Sequence, residues 1–284
     1  MIVVTGATGQ LGRLVIDALL ETVPASSIVA AVRSPEKAAA LAARGGVVRQ
    51  ADYTQAETLD SALAGAEKLL LISSSEIGQR VPQHRAVIEA AKRAGIKLIA
   101  YTSILRADTS PLGLATEHAQ TEALLKASGL PFVLLRNGWY TENYAASVPA
   151  ALAHGAVLGS AGNGRISSAA RIDYAAAAAL VMTREHQAGR VYELSGDASY
   201  TLTELAAEIA RQSGKAVAYQ NLPEADYKAA LIGFGLPEPV AQLLADSDTG
   251  ASQGGLLGEG RQLSTLIGRP TTPLAATIAA AVRG

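Results

Sequence analysis

Three glycines close to the start of the chain have the spacing of a phosphate-binding turn. The apolar run 2–5 is followed by Gly6-Ala7-Thr8-Gly9-Gln10-Leu11-Gly12, and a helical pattern begins there. Gly6 permits a tight turn, Gly9 lets the backbone approach a pyrophosphate, and Gly12 lets the helix pack closely on the sheet. Because the amides at a helix N-terminus attract phosphate, we predict that this turn binds a dinucleotide. A purely structural turn is the alternative.

The residue after the second apolar run bears on which dinucleotide the turn would bind. An Asp or Glu at this place hydrogen-bonds the ribose 2′-hydroxyl of NAD, whereas this chain has Arg33. A guanidinium can pair with the 2′-phosphate of NADP through two parallel hydrogen bonds, and Lys37 lies one helical turn further on. We therefore expect NADPH (NADP⁺) as the cofactor. A solvated strand-end arginine that also allows NADH is the alternative.

Polar residues also follow the third and fourth apolar runs, where the adenine and ribose–phosphate of a dinucleotide would pass. These residues are Asp52-Tyr53 and Ser73-Ser74-Ser75. Asp52 would accept a hydrogen bond from the adenine amino group or serve a turn or N-cap, and the residue type does not choose between these roles. The serines are better candidates, since small hydroxyl side chains let a cofactor lie against the backbone.

The Tyr-x-x-x-Lys pair of the ordinary short-chain dehydrogenases is missing. None of the nine tyrosines is followed four residues later by lysine. In that pair the lysine lowers the tyrosine pKa for proton transfer, so reversible alcohol oxidation through a tyrosinate base is not expected. Hydride transfer to a strongly electrophilic acceptor such as a quinone asks less of the protein, and positioning can suffice.

Several polar and aromatic residues at later strand ends could hold and polarise such an acceptor. They are Tyr101, Thr102, Ser103, His118, Asn137, Trp139 and Tyr140. Alternative roles stay open for three of them. Trp139 and Tyr140 would otherwise fill a domain junction, and His118 would otherwise be a solvated helix residue.

Composition and spacing exclude several other functions. Cysteine is absent, and 24 Lys+Arg balance 25 Asp+Glu, so thiolate chemistry and nucleic-acid or anionic-membrane partners are not expected. The four histidines are too far apart in sequence for a metal motif, so no metal is expected. The hydrolase-like run 250–254 follows no strand and has no histidine after Ser252. With no leader or membrane-spanning run visible, we expect a cytoplasmic protein.

Apolar β-branched runs alternate with Ala/Leu-rich helical patterns, which predicts an α/β protein. Because the runs are continuous rather than alternating, we expect a Rossmann-type, doubly wound parallel sheet that is covered on both faces. The predicted strands are Ile2 to Thr5, Ile28 to Val32, Val47 to Arg49, Leu69 to Ile72, Leu98 to Tyr101, Phe132 to Leu135 and Arg190 to Leu194.

The alternation of apolar runs and helical patterns becomes irregular after residue 136, which predicts a second domain. We expect an NADP-binding domain of residues 1–136, with roughly 170–195 returning to it, and a smaller C-terminal α/β substrate domain of residues 137–169 and 196–284 over the cleft. Within the latter, Thr203 to Ser213 is predicted to be a helix capped by Thr201 or Thr203. The Gly/Ser-rich stretch Asp246 to Arg261 is interpreted as a mobile loop.

With these motifs in hand, the chain resembles the bacterial NAD(P)H:quinone oxidoreductases (type 2) of the NmrA-like, atypical short-chain dehydrogenase/reductase family. The resemblance rests on residues 5–12, Val32-Arg33, 50–53, 70–76, Leu135-Arg136-Asn137-Gly138-Trp139-Tyr140 and Asp246-Ser247-Asp248. It implies a flavin-free NADPH-dependent reductase that passes a hydride directly to a small-molecule quinone. The cofactor site would comprise Gly6 to Leu11, Arg33, Ser73 to Ser75, Asn137 to Tyr140 and Arg171.

The resemblance leaves the proton donor, the acceptor and the assembly open. Relatives in the wider group have a lysine where this chain has His118, so His118 substitutes as donor or solvent protonates the product. His118, Asn137 and Tyr140 are the predicted catalytic residues. An NADP-binding redox sensor and a reductase of triphenylmethane-type dyes are the alternative functions, and monomer and homodimer are both compatible with the sequence.

Overall fold

The computed structural model describes residues 1–283, which form nine strands and thirteen α-helices. In the first half of the chain they are β1 Ile2–Thr5, α1 Gln10–Leu20, β2 Ile28–Val32, α2 Ala39–Ala43, β3 Val47–Gln50, α3 Ala56–Leu63, β4 Lys68–Leu71, α4 Arg80–Arg93, β5 Leu98–Ile104, α5 Ala115–Ala127 and β6 Phe132–Asn137. Short 3-10 helices lie at Ala25–Ser27 and Pro35–Ala38. The remainder are α6 Thr141–Ala145, α7 Val148–His154, β7 Ala156–Gly159, α8 Arg171–Thr183, β8 Val191–Leu194, α9 Leu202–Ser213, β9 Ala218–Asn221, α10 Glu224–Gly233, α11 Glu238–Ser252, α12 Gln262–Ile267 and α13 Leu274–Arg283.

Seven strands form one sheet in the order β3-β2-β1-β4-β5-β6-β8. The five strand pairs between β3 and β6 are all parallel, which confirms the fold class predicted from the continuous apolar runs. The order reverses between β1 and β4. In an open sheet of this kind, ligands bind outside the carboxyl ends of the strands at such a reversal.

The chain divides into two compact units. The first contains residues 1–104, 117–137 and 171–192, and the second contains 105–116, 138–170 and the chain from Glu193 onward. This division differs from the predicted domains at residues 105–116 and 193–195, which had been expected in the first domain, and at Asn137, which had been expected in the second. Helix α8 belongs to the first unit because its alanine-rich surface packs on α1.

The core of the first unit consists of strand residues and one face of each neighbouring helix. Val3, Val29, Leu69 and Leu71 are buried completely or nearly so, together with Leu59 from α3. Side chains such as these each contribute about 1.5 to 3 kcal/mol when they leave water. The carboxyl ends of β1, β4 and β5 are therefore held at fixed positions by a packed core.

The second unit contains a separate two-stranded parallel sheet, β7 with β9. Thr201 caps α9 as predicted. Its hydroxyl accepts from the Glu204 amide, while the Glu204 carboxylate accepts from the Thr201 amide, so the two residues form a capping box. Thr203 lies inside the helix and is not the cap.

The prediction of a mobile loop over Asp246 to Arg261 is wrong for its first half. Residues up to Ser252 belong to α11. Gly250 is a packing residue there, because a Cβ at its position would lie 3.0 Å from the Leu112 side chain. The hydroxyl of Ser247 donates to the Leu243 carbonyl within the same helix. Close packing thus overrides the weak helix propensity of Gly and Ser.

The close approach of α1 to the first turn makes Gly12 the most constrained glycine of that turn. A Cβ on residue 12 would lie 2.7 Å from the Cα of Ala7. We predict that Gly12→Ala lowers the free energy of unfolding by about 2 kcal/mol or more, since backbone atoms must move. The matched control is Gly233→Ala, whose added methyl meets nothing within 4 Å and should stabilise α10 by up to about 1 kcal/mol. Urea unfolding of both variants measures the difference, and equal stabilities would contradict this role of Gly12.

Candidate functional site

The first turn has the backbone geometry that phosphate binding requires. Gly6 has φ of +59°, and its carbonyl accepts from the amide of Gly9 at 2.9 Å. Gly9 is the N-cap of α1, and no side chain within the described chain caps that helix. Gly9 and Gln10 are exposed, whereas Ala7 and Leu11 are buried. The amides of the first helical turn are therefore free of side-chain partners and suit an anionic group.

A cavity of about 320 Å³ lies beside this turn in the first unit. Ala7 and Thr8 line one part of it. Its charged lining residues are Arg13, Asp17, Lys37 and Arg44. Asp17 is paired with Arg44 at 2.5 Å, so Arg13 and Lys37 supply the excess of positive charge. This lining fits an anionic ligand.

Arg33 lies directly after β2, and 69% of its side chain is exposed. Its Nη1 donates to the carboxylate of Glu76 at 2.8 Å. Asp52, after β3, makes the contacts of a turn residue, because its Oδ1 accepts from the amide and the hydroxyl of Thr54. These two hydrogen bonds lower the pKa of Asp52, with Arg33 contributing a further lowering.

The segment that follows β4 is fixed by three side chains acting on three consecutive amides. The amide of Ile72 donates to Oγ1 of Thr5 at 3.1 Å, that of Ser73 to Oγ1 of Thr102 at 2.9 Å, and that of Ser74 to Nε2 of His84 at 2.9 Å. Tyr53 adds a hydrogen bond to the Ile72 carbonyl. In this structure the hydroxyl of Thr102 therefore fixes the backbone amide of Ser73. Ser73 and Ser74 are half-buried, and Ser75 is exposed.

Side chains near the start of α4 hydrogen-bond both the carbonyl and the hydroxyl of Ser74. Nε of Arg80 donates to the Ser74 carbonyl at 2.9 Å, and the Ser74 hydroxyl donates to Oε1 of Gln83. Nη1 of Arg80 also forms an ion pair with Glu117 at 2.8 Å. Arg80, Gln83 and His84 share one helix face because they are spaced i, i+3 and i+4. They were not predicted from the sequence, although this spacing of polar residues on one helix face is a signal of a common partner.

The hydrogen bonds of His84 define its tautomer. Nε2 accepts from Ser74, so the single proton of the neutral ring is on Nδ1, which lies 3.0 Å from Oγ1 of Thr121. Burial, with a smaller contribution from Arg80, lowers the pKa of His84 to about 3. His84 therefore stays neutral across the physiological range and acts as a fixed acceptor.

His118 is buried in the first unit, with 4% of the residue exposed. Its Nδ1 is hydrogen-bonded to the Tyr101 hydroxyl at 2.7 Å. Burial and then Arg80 and His84 hold its pKa well below the ordinary value. The alternative of a solvated helix residue is therefore wrong, and an imidazolium at this position is disfavoured.

Asn137 ends β6 with a buried side-chain oxygen. The residue is 6% exposed, and its Oδ1 has no hydrogen-bond partner among the described residues. The preceding Arg136 is fixed by Glu122, whose Oε1 also accepts from Ser103. A buried acceptor without a donor is costly unless a ligand supplies one.

The three residues after Asn137 belong to the second unit. The amide of Gly138 donates to the Leu194 carbonyl, Trp139 is 7% exposed, and Tyr140 is the N-cap of α6. Trp139 is thus buried rather than displayed on an open surface. Arg171, the remaining predicted contact, begins α8 in the first unit.

Asp248 is the centre of a buried polar cluster in the second unit. Its carboxylate accepts from the Tyr144 hydroxyl at 2.8 Å and from the Ser160 amide at 3.0 Å. Burial raises the pKa of Asp248 to about 6, although both hydrogen bonds oppose the shift. Asp248 has no individual role among the sequence-based predictions, because an acidic residue in a Gly/Ser-rich stretch is ordinarily exposed.

Comparison with known proteins places this geometry in a family. The model of an NAD(P)H-binding family matches residues 6–185. The chain belongs to this NAD(P)H-binding family.

Two relatives of this NAD(P)H-binding protein cover almost its whole length. Quinone oxidoreductase 2 of Escherichia coli strain K12 is 64% identical, over 98% of this chain and 97% of its own. The crystal structure of an Escherichia coli NADPH-dependent quinone oxidoreductase complexed with NADPH is 63% identical, covers 99% of both chains and has a TM-score of 0.96. The resemblance to bacterial quinone oxidoreductases is thereby confirmed.

A third match is a reductase of another substrate class. The Citrobacter sp. triphenylmethane reductase complexed with NADP(H) is 40% identical, covers 99% of this chain and 100% of its own, and has a TM-score of 0.95.

Two further observations concern the described residues of this chain. No helix in residues 1–283 is both long and apolar enough to cross a membrane, and that part of the chain brings together no group of three or more His, Cys, Asp or Glu side chains that could hold a metal ion.

Replacing His84 tests whether it fixes the segment after β4. His84→Leu would leave the Ser74 amide without its acceptor, so we predict a loss of about 1 to 3 kcal/mol in unfolding free energy. Hydrogen exchange of the amides of Ile72 to Ser74 should become faster in the same variant. His154→Leu, at an exposed position of the second unit, is the control. Unchanged exchange at Ser74 in His84→Leu would show that the histidine is dispensable there.

The raised pKa of Asp248 predicts a pH-dependent stability. Its pKa is about 6 in the folded chain against an ordinary 3.8, so ionisation favours unfolding. The stabilising contribution is complete below about pH 4, declines as the pH rises through 6, and is then absent. As the pH rises from 4 to 7.5, the unfolding free energy of wild type should fall by about 2 to 3 kcal/mol relative to that of Asp248→Asn. Urea unfolding followed by fluorescence of Trp139, the single tryptophan, measures this difference. A constant difference across pH 4 to 7.5 would contradict it.

Proposed function

We propose that this protein is an NADPH-dependent quinone oxidoreductase that transfers a two-electron hydride to the quinone without a flavin. The observation that carries the proposal is the 64% identity to quinone oxidoreductase 2 over 98% of the chain. This identity extends over both units and is not confined to the dinucleotide turn. The turn alone would be compatible with many chemistries.

The residues present fit NADPH. The uncapped amides at the start of α1 suit the pyrophosphate, and exposed Arg33 suits the 2′-phosphate. The unpaired Oδ1 of Asn137 suits a donor such as the nicotinamide carboxamide. We propose that Gly6 to Leu11, Arg33, Asp52, Ser73 to Ser75, Thr102, Asn137 to Tyr140 and Arg171 form the cofactor site. Asp52 is the weakest member, because Thr54 already occupies one of its carboxylate oxygens.

The chain's own residues have a modest chemical task in this reaction. When bound, NADPH would supply a hydride, and a quinone that accepts it needs one further proton to become the hydroquinone. We assign that proton to solvent. His118 is buried and neutral, and the Tyr101 hydroxyl already occupies its Nδ1. The protein contributes orientation of the cofactor through Asn137 and Tyr140, and this is sufficient for an acceptor that is itself a strong oxidant.

A second acceptor class has a specific observation in its favour. The triphenylmethane reductase is 40% identical at a TM-score of 0.95. Such dyes, like quinones, are conjugated electrophiles that accept a hydride without a general base. We propose quinones as the primary acceptors because the identity to quinone oxidoreductase 2 is higher.

Turnover with purified protein, NADPH and a simple benzoquinone tests the function. Absorbance of the reduced nicotinamide should fall faster than in the uncatalysed reaction, and Arg33→Ala should raise the KM for NADPH about tenfold or more while changing that for NADH little. The control is Arg93→Ala, which removes another exposed arginine of the first unit. A rate equal to the uncatalysed one would end the quinone assignment, and equal losses for both cofactors would remove Arg33 from its role.

A further inference from the structure

Arg33, the residue proposed to bind the 2′-phosphate, already has a carboxylate partner. Its Nη1 donates to Oε1 of Glu76 at 2.8 Å, and the two side chains are 69% and 44% exposed. Glu76 lies in the segment after β4, whereas Arg33 follows β2. The pair therefore links two strand ends on the two sides of β1, at the reversal of strand order.

Glu76 is held in place by the same residues that fix the segment after β4. Its Oε2 accepts from Nε2 of Gln83 at 2.6 Å, and its amide donates to the Ser74 hydroxyl at 3.2 Å. One oxygen of its carboxylate thus accepts a hydrogen bond from Gln83 of α4, and the other accepts one from Arg33. An exposed ion pair whose partners are both free contributes little. Here one partner is already anchored, so less side-chain entropy is lost when Arg33 pairs with it.

Glu76 and a 2′-phosphate would require the same guanidinium. Arg33 offers five N–H donors, so both anions could reach it, but they would then lie within a few ångströms of each other. Two like charges at such a distance repel, and this repulsion acts only on a nucleotide that carries the 2′-phosphate. A nucleotide with a free 2′-hydroxyl would instead find in Glu76 the acidic acceptor that NAD-binding turns provide.

We propose that Glu76 is a specificity-determining residue that weakens the preference of this site for 2′-phosphorylated nucleotides. Arg33 favours the 2′-phosphate, Glu76 opposes it, and the ratio between the two cofactors is set by this pair. Glu76→Gln keeps the size of the side chain and an acceptor for Arg33 while it removes the charge. The inference rests on the part of the proposed function that concerns nucleotide binding, and it does not depend on the reduction of quinones.

The test uses two nucleotides that differ only in the 2′-phosphate, adenosine 2′,5′-bisphosphate and AMP. Calorimetric titration of the full chain should give about three- to tenfold tighter binding of the bisphosphate to Glu76→Gln than to wild type. Binding of AMP should change by less than about twofold, or weaken. The control is Asp60→Asn, which removes the same charge from another exposed ion pair of the first unit, with Arg93. It should leave both affinities unchanged.

Three outcomes would overturn the proposal. An unchanged ratio of the two affinities in Glu76→Gln would show that the carboxylate does not act on the 2′-phosphate. Weaker binding of the bisphosphate would show that Glu76 positions Arg33 in favour of the phosphate. If the wild-type protein bound neither nucleotide, the proposed 2′-phosphate site would be ruled out. A protein that binds both nucleotides but does not reduce quinones counts against the proposed function alone.

Discussion

The immobilised segment after β4 is the constraint on which the first unit depends. Three consecutive amides, of Ile72, Ser73 and Ser74, are bound by side chains from β1, β5 and α4. Backbone amides outside regular structure have no partner in a helix or sheet, so they bind side chains, water or a ligand. Here they are used internally, and the segment becomes a rigid surface at the carboxyl edge of the sheet. Thr5, Thr102 and His84 thus determine where the serines and Glu76 lie, although all three are themselves buried.

The fold could be predicted because its determinants are local. Gly6 requires a positive φ and Gly12 tolerates no Cβ, so their spacing restricts the backbone strongly. The apolar strands are continuous because both faces of the sheet are covered. The part of α11 from Asp246 to Ser252 was wrongly predicted as a loop, because its small residues serve contacts with distant parts of the sequence, such as that of Gly250 with Leu112. Such contacts leave no periodic pattern in the sequence.

The sequence predicts candidate residues at the strand ends, whereas the residues that hold the segment after β4 in place were missed. Arg33 and the serines could be proposed as candidates because ligands bind at the carboxyl ends of the strands in a parallel sheet. Arg80, Gln83 and His84 are polar residues in a helix, and such residues are ordinarily solvated. Only the folded chain brings them to Ser74. Likewise His118 is a buried hydrogen-bond partner of Tyr101, which its sequence neighbours Glu117 and Gln120 did not indicate.

The position of β8 has a consequence for how the chain can be made. Strand β8 pairs with β6 and completes the sheet, but it follows β6 only after α6, α7, β7 and α8. During synthesis from the N-terminus, the apolar β6 therefore has an open edge until Val191 to Leu194 have left the ribosome. An unpaired apolar strand edge is a template for association with other chains. While the chain between these two strands is being synthesised, the nascent protein thus exposes an apolar edge that the finished sheet covers.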